Sequence, residues 1–248
     1  MCFRVIGENL TLDYLWLSLA ASFAAAISGA AGFGGALLLL PVLTGTVGAF
    51  QAVPLLTVVQ LIGNLSRVGF GFTQINWKSV WLFLLGAIPL SVVGALLFTD
   101  LPKTIVNRFT GAAILVFTLL KLSGILKLKS GKLLLTVGGG VVGFLSGLVG
   151  SAGPLGAAIF LSLGLPPVAY VASEATTALV MHGVKTIVYQ SVLTIGSKTW
   201  ILAGLMGAAM ILGTWVSNRV IQKMNTKVFQ IFVSILLIIM AGYMIVQG

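Results

Sequence analysis

Gln60, Asn64 and Arg67 follow one another at i, i+4 and i+7. Glu174, His182, Lys185 and Tyr189 do so at i, i+8, i+11 and i+15. Each set shares one face of a helix, and each interrupts a long apolar stretch. Ionisable side chains inside such stretches are costly and as a rule face a solute pathway rather than lipid. The chemistry on offer is anion binding. Arginine presents a planar fork suited to an oxyanion and lysine a point charge, while Gln60, Asn64, Ser151 and Tyr189 can replace part of an anion's water. Glu174 and His182 change charge near neutral pH once desolvated, which makes either a candidate proton carrier. Plainer readings compete: Arg67 lies near its segment end and could snorkel to the interface, and His182 could be a satisfied core histidine. Glu174 and Lys185 are about 16 Å apart along one helix, too far for an ion pair.

Two glycine clusters accompany these faces. The chain reads ISGAAGFGGALLLLP from Ile27 to Pro41 and LSGLVGSAGPLG from Leu145 to Gly156. One offset of 118 places Ser28 on Ser146, Gly29 on Gly147, Gly32 on Gly150, Gly35 on Gly153 and Arg67 on Lys185. A single cluster reads as small residues at a helix contact. Two in register, each ahead of a polar-faced helix, read as the broken helices of a transporter built from a repeat. Where glycines (Gly32, Gly34 and Gly35; Gly150 and Gly153) break a membrane helix, free N–H groups and a helix N-terminus attract anions, and Ser28, Ser146 and Ser151 add hydroxyls. Irregular backbone at that depth must be buried in protein or line a cavity.

Composition sets the class. The chain is 58% hydrophobic and 7% charged, against roughly 25% charged in soluble domains, so its solvent is lipid. The net charge of +10 sits mostly in short connections, where membrane orientation explains it and nucleic-acid binding does not. Cys2 is the single cysteine and His182 the single histidine, with Glu8, Asp13, Asp100 and Glu174 the only acids. Internal disulfides are excluded, and metal or haem sites lack ligands. No cofactor is expected. Arg4 and the apolar run after Tyr14 mimic a signal peptide, but Glu8 and Asp13 interrupt the pattern, and the run reads as part of the first membrane segment.

Eight apolar segments can be drawn: 14–46, 51–72, 77–98, 104–125, 133–163, 168–193, 199–218 and 227–247. Six have roughly the 20-residue length of a bilayer span. The first and fifth would reach about 45 Å as straight helices, more than the roughly 30 Å hydrocarbon core, so they are expected to break at their glycines, in line or as re-entrant hairpins. Lysines and arginines favour the re-entrant reading. It leaves Lys78, Lys121, Lys127, Lys129, Lys132, Arg219, Lys223 and Lys227 inside, with Arg4, Lys103, Arg108 and Lys198 outside. An extra crossing hidden in each long segment gives the same parity. Trp77 and Trp200, after polar turns, read as interfacial anchors. The expected fold is an all-α polytopic membrane protein of two homologous, inverted halves with four apolar segments each. Residues 1–125 form one half, 126–132 a basic cytoplasmic connection and 133–248 the other half.

An enzyme reading pairs Ser151 as nucleophile with His182. In the first copy Phe33 and Asn64 stand at these positions, so the repeat accounts for the local sequence without a dyad, and no enzyme is expected.

SGAAGFGGALLLLP from Ser28 and SGLVGSAGP from Ser146 resemble the paired glycine-rich signatures of the TauE/SafE (TSUP) family of sulfite and organosulfonate exporters. The duplication, size and segment count extend the resemblance over nearly the whole chain. It departs at Ala152, where the first copy has Gly34, and at Pro154 and Leu155. The resemblance implies proton-coupled export of sulfite, sulfoacetate or related sulfonates. The expected reading is a secondary transporter working by alternating access in a prokaryotic cytoplasmic membrane, with Arg67 and Lys185 holding the anion. A passive anion channel and an accessory protein that moves no solute are the alternatives. Expected partners are the small anion and the bilayer; a homodimer is one candidate assembly.

Overall fold

The computed structural model describes residues 10–33, 35–47, 49–97, 108, 111, 112, 114–116, 118, 119, 131–149, 153–192 and 197–247. Among them all regular structure is helical. The helices are α1 (Leu10–Ala31), α2 (Gly35–Val47), α3 (Ala49–Gly71), α4 (Trp77–Leu96), α5 (Lys132–Val149), α6 (Gly153–Leu161), α7 (Pro167–Val192), α8 (Ser197–Ile221) and α9 (Thr226–Gln247), with a 3-10 turn at Phe72–Gln74. The fourth apolar segment and the basic connection fall largely outside the described residues; those of the segment that are described are helical.

Local chemistry sets the boundaries. Gly32 takes φ +84° where α1 ends, a left-handed conformation that costs other L-residues about 1–2 kcal/mol. A Cβ there would also lie 2.6 Å from the Tyr170 ring. The Asn76 side chain accepts from the Ser79 N–H at 3.1 Å and starts α4. Gly164 at φ +66° ends the turn after α6, and Pro167 opens α7, its missing N–H being one of the donors a first turn leaves unused anyway.

Among the described residues, five helices are long and apolar enough to cross a bilayer: Tyr14–Ala31, Leu55–Gln74, Trp77–Leu96, Trp200–Ile221 and Thr226–Val246. They fall in the first, second, third, seventh and eighth expected segments; the fourth lies largely outside the described residues, and the fifth and sixth fall short. The reasons are local. The first and fifth segments are split, leaving short apolar helices at Leu38–Val47 and Lys132–Leu148, and α7 is too polar although it has 26 residues. That polarity is tolerable because α7 runs through the interior, with Val168–Ala178 buried on all sides. Large apolar side chains instead face outward on α1 (Leu15, Leu19, Phe23) and α9 (Ile231, Ile235, Ile239), where lipid takes the place of water.

The packing pairs have a regular pattern. α4 packs on α5, and α1 on α8. Gly139, Gly143 and Gly147 line one face of α5, and a Cβ on them would strike the backbone of Phe83, Ala87 and Gly94 in turn. The same order of contacts makes α4 and α5 parallel, and only glycine lets backbones come so close. On the other side, a Cβ on Gly213 would strike Ser22 O and one on Gly29 would strike Ser217, so α1 and α8 are parallel too. If Trp77 is aligned with Trp200, Ser91 and Gly94 fall on Thr214 and Ser217. Gly147 meets the first pair and Gly29 the second. Between these two units, α3 packs on α7. Gly71 approaches Val168 and Ala172, Arg67 approaches Glu174, and Gly183 faces Leu61. α3 and α7 are therefore antiparallel.

Candidate functional site

The two helix breaks face each other across the α3–α7 crossing. A cavity of about 30 Å³ lies between them, room for one or two water molecules. Gly32, Phe33, Gly35 and Ala36 bound it from the first break and the start of α2. Gly153 and Gly156 bound it from α6, and Val142 and Ser146 from α5. α3 contributes Gln60, Asn64 and Arg67; α7 contributes Glu174, Thr177, Ala178, Met181 and His182. The polar faces read from the sequence thus converge on one place, and the first turns of α2 and α6 open onto it. A helix start carries unpaired N–H groups and partial positive charge.

Arg67 is buried, 5% exposed, and does not reach an interface. Its Nη1 donates to Gly32 O at 2.9 Å and Ser28 O at 3.4 Å, the final carbonyls of α1. Its Nη2 donates to Asn64 Oδ1, and its Nη1 lies 3.9 Å from Glu174 Oε2. Lys185 is wholly buried, and its Nζ donates to Ser146 Oγ at 2.9 Å in the last turn of α5. Each cation therefore sits at the C-terminal, negative end of a broken helix, where positive charge is favoured, 39 residues after the serine it touches. Lys185 is not among the residues that line the cavity, but its partner Ser146 is.

Three of the four buried side-chain polar atoms without a hydrogen-bond partner among the described residues are Gln60 Nε2, Glu174 Oε2 and His182 Nδ1, and all three side chains line the cavity. Buried polar groups are as a rule paired, so this cavity is where the unmet polar groups among the described residues concentrate.

Tyr170 was not singled out by its chemistry in the sequence. Its hydroxyl lies 3.1 Å from Ala31 O and 3.3 Å from Ala157 O, tying the end of α1 to α6. The signal was available: Tyr170 precedes Glu174 by four residues, on the same face. Thr177 and Met181 continue that face but were hidden by ordinary helix composition. Gly34, Gly150 and Ser151 lie outside the described residues, as does the side chain of Tyr189, so the Ser151–His182 pairing also lies outside them.

Apolar spanning helices wrapped around a buried polar cavity define a multi-pass helical membrane protein. Residues 17–244 match the family model of the sulfite exporter TauE/SafE, and the chain belongs to that family of transporters. No match was found among curated proteins or among solved structures.

Proposed function

We propose that this chain carries small sulfur-containing anions, sulfite or an organosulfonate such as sulfoacetate, outward across a prokaryotic cytoplasmic membrane by alternating access, with proton coupling. Family membership supplies the substrate class. The observation that carries the reading to particular residues is the cavity itself: unpaired Gln60 Nε2 and His182 Nδ1 beside Arg67, between the starts of α2 and α6. Gln60, Asn64, Arg67 and the N–H groups at Gly35 and Gly153 coordinate the anion, with Gly32, Gly34, Gly150, Ser151 and Tyr189 completing the site. Lys185 orders the second break through Ser146 and adds positive charge. An oxyanion exceeds a space sized for one or two waters, so loading requires the breaks to move apart.

Glu174 is the better proton carrier of the two candidates. It is the carboxylate facing Arg67, so an arriving anion competes with it for the guanidinium, and protonation of Glu174 removes the competitor. His182 then serves as an anion ligand. The two halves, 1–125 and 133–248, act as inverted copies rocking about this site. Support comes from the antiparallel run of α3 against α7, which are equivalent in the 118-residue offset, and from the matched pairs α1–α8 and α5–α4.

The test is uptake of labelled sulfite and sulfoacetate into proteoliposomes with and without a pH gradient. The expected result is gradient-driven accumulation, lost in Gln60→Ala and Arg67→Lys protein that remains folded. Downhill flux indifferent to the gradient would make the protein a passive channel, and absence of flux for every anion an accessory protein.

A further inference from the structure

A second cavity of about 10 Å³ is bounded by Gly29, Phe70, Val168, Thr214 and Asn218, and by Arg67. Arg67 also lines the central cavity, so it borders both, with its Nη1 donating to Ser28 O and Gly32 O. The last turns of α3 and α8 and the first turn of α7 meet here, at the end of the bundle that also carries Trp77, Lys78, Arg219, Lys223 and Lys227. Phe70 is 38% exposed and Asn218 is half-buried, so the small cavity lies between the central one and that basic surface. The titratable and charged groups of the elements around it are Asp13 on α1, Arg67 on α3, Glu174, His182 and Lys185 on α7, and Lys198 and Arg219 on α8; of these Arg67 lines the cavity, Glu174 faces Arg67 from the central side, and Arg219 stacks over Trp215.

We infer that this cavity is an outer anion subsite: the solute is held by Arg67, Thr214 and Asn218 at the basic end before or after Arg67 passes it to the central cavity. The inference rests on the reading that the chain moves an anion. At one water's volume the subsite is closed in this state, and a turn of the Arg67 side chain joins the two spaces. The route is one-sided. In the alignment of Trp77 with Trp200, Ala95 takes the place of Asn218, and Ala95 is buried against Gly147.

Cys2 is the single cysteine, so Cys2→Ser gives a clean background for Asn218→Cys and, as a reference on the exposed α8–α9 connection, Asn225→Cys. Each is reacted in sealed membrane vesicles of both orientations with a sulfonatoethyl and a trimethylammonioethyl methanethiosulfonate, and modification is read by mass. Asn225 shares the basic surface, so it normalises for surface charge. The expected anionic-to-cationic rate ratio at Asn218 is about tenfold above that at Asn225, the scale on which a charged cleft concentrates a counter-ion. The preference comes from one membrane face only; Arg67→Gln abolishes it and Arg67→Lys retains it. A ratio equal to the reference overturns the subsite without any need for an Arg67 variant, as does a preference that survives Arg67→Gln. Labelling does not require transport. Selective labelling without flux therefore sinks the carrier reading alone, and flux without selective labelling sinks the subsite alone.

Discussion

Arg67 and Lys185 stand at matching positions in the 118-residue offset and make different contacts there. Each follows its serine by 39 residues and each sits on the closing turn of a broken helix. Arg67 uses its fork to hold two backbone carbonyls and Asn64 together while facing Glu174. Lys185, a point charge, takes the Ser146 hydroxyl. The copies diverge around them. His182 stands where the first copy has Asn64, and Leu56 stands where the second has Glu174. Both positions thus hold a cation at the end of a helix, while the carboxylate stands on one side only. One acid facing one of the two cations makes the two matching positions electrostatically unequal.

The sharpest way to break this comparison is to remove one cation. Arg67→Ala leaves Glu174 buried without its counter-charge, a change that costs about 3–5 kcal/mol in other buried pairs. Combining Arg67→Met with Glu174→Gln should recover much of that stability in detergent melts while transport stays lost. Equal stability of single and double variants would mean that the pair is not coupled.

Gly32→Ala should cost at least about 2 kcal/mol, from the left-handed backbone together with the collision with Tyr170. Gly156→Ala, whose Cβ would find contacts no closer than 3.5 Å, should fall well below it. Melting temperatures that rank the other way would show that the first break is not held in this conformation.

Ser146→Ala removes the hydroxyl that Lys185 bonds and should cost about 1.5–3 kcal/mol, the range for hydrogen bonds to charged groups. Ser28→Ala keeps the carbonyl that Arg67 uses and should cost less. A larger loss at Ser28 would overturn the distinction drawn between the two cations.

The smallest effect is expected at Tyr170→Phe: loss of the hydroxyl that ties α1 to α6, about 1 kcal/mol. Slower hydrogen exchange at residues 28–32 after this change would count against the tie.

Much of this was legible beforehand. The repeated glycine clusters marked both breaks, and helical spacing put Gln60, Asn64 and Arg67 on one face and Glu174, His182 and Lys185 on another. Three things were not. The Arg67–Glu174 pairing joins residues 107 positions apart, so no local pattern announces it. The Lys185–Ser146 bond joins residues 39 positions apart on different helices, which no local pattern announces either. The interior course of α7 is the third: the helices packed around it bury its polar residues, and its own composition does not announce that.

The sequence by itself determined the solvent, the helical class, the places where helices break and the faces that carry charge. These follow from composition, from glycine's backbone freedom and from the 3.6-residue turn, all of which act within a few residues. Only the tertiary structure decided that α3 and α7 cross antiparallel, that both cations turn to the ends of α1 and α5, and that Gln60, Glu174 and His182 are left with unpaired atoms around one cavity. Those outcomes depend on how closely helix backbones approach and on which buried groups find partners, and both are settled between segments distant in the chain.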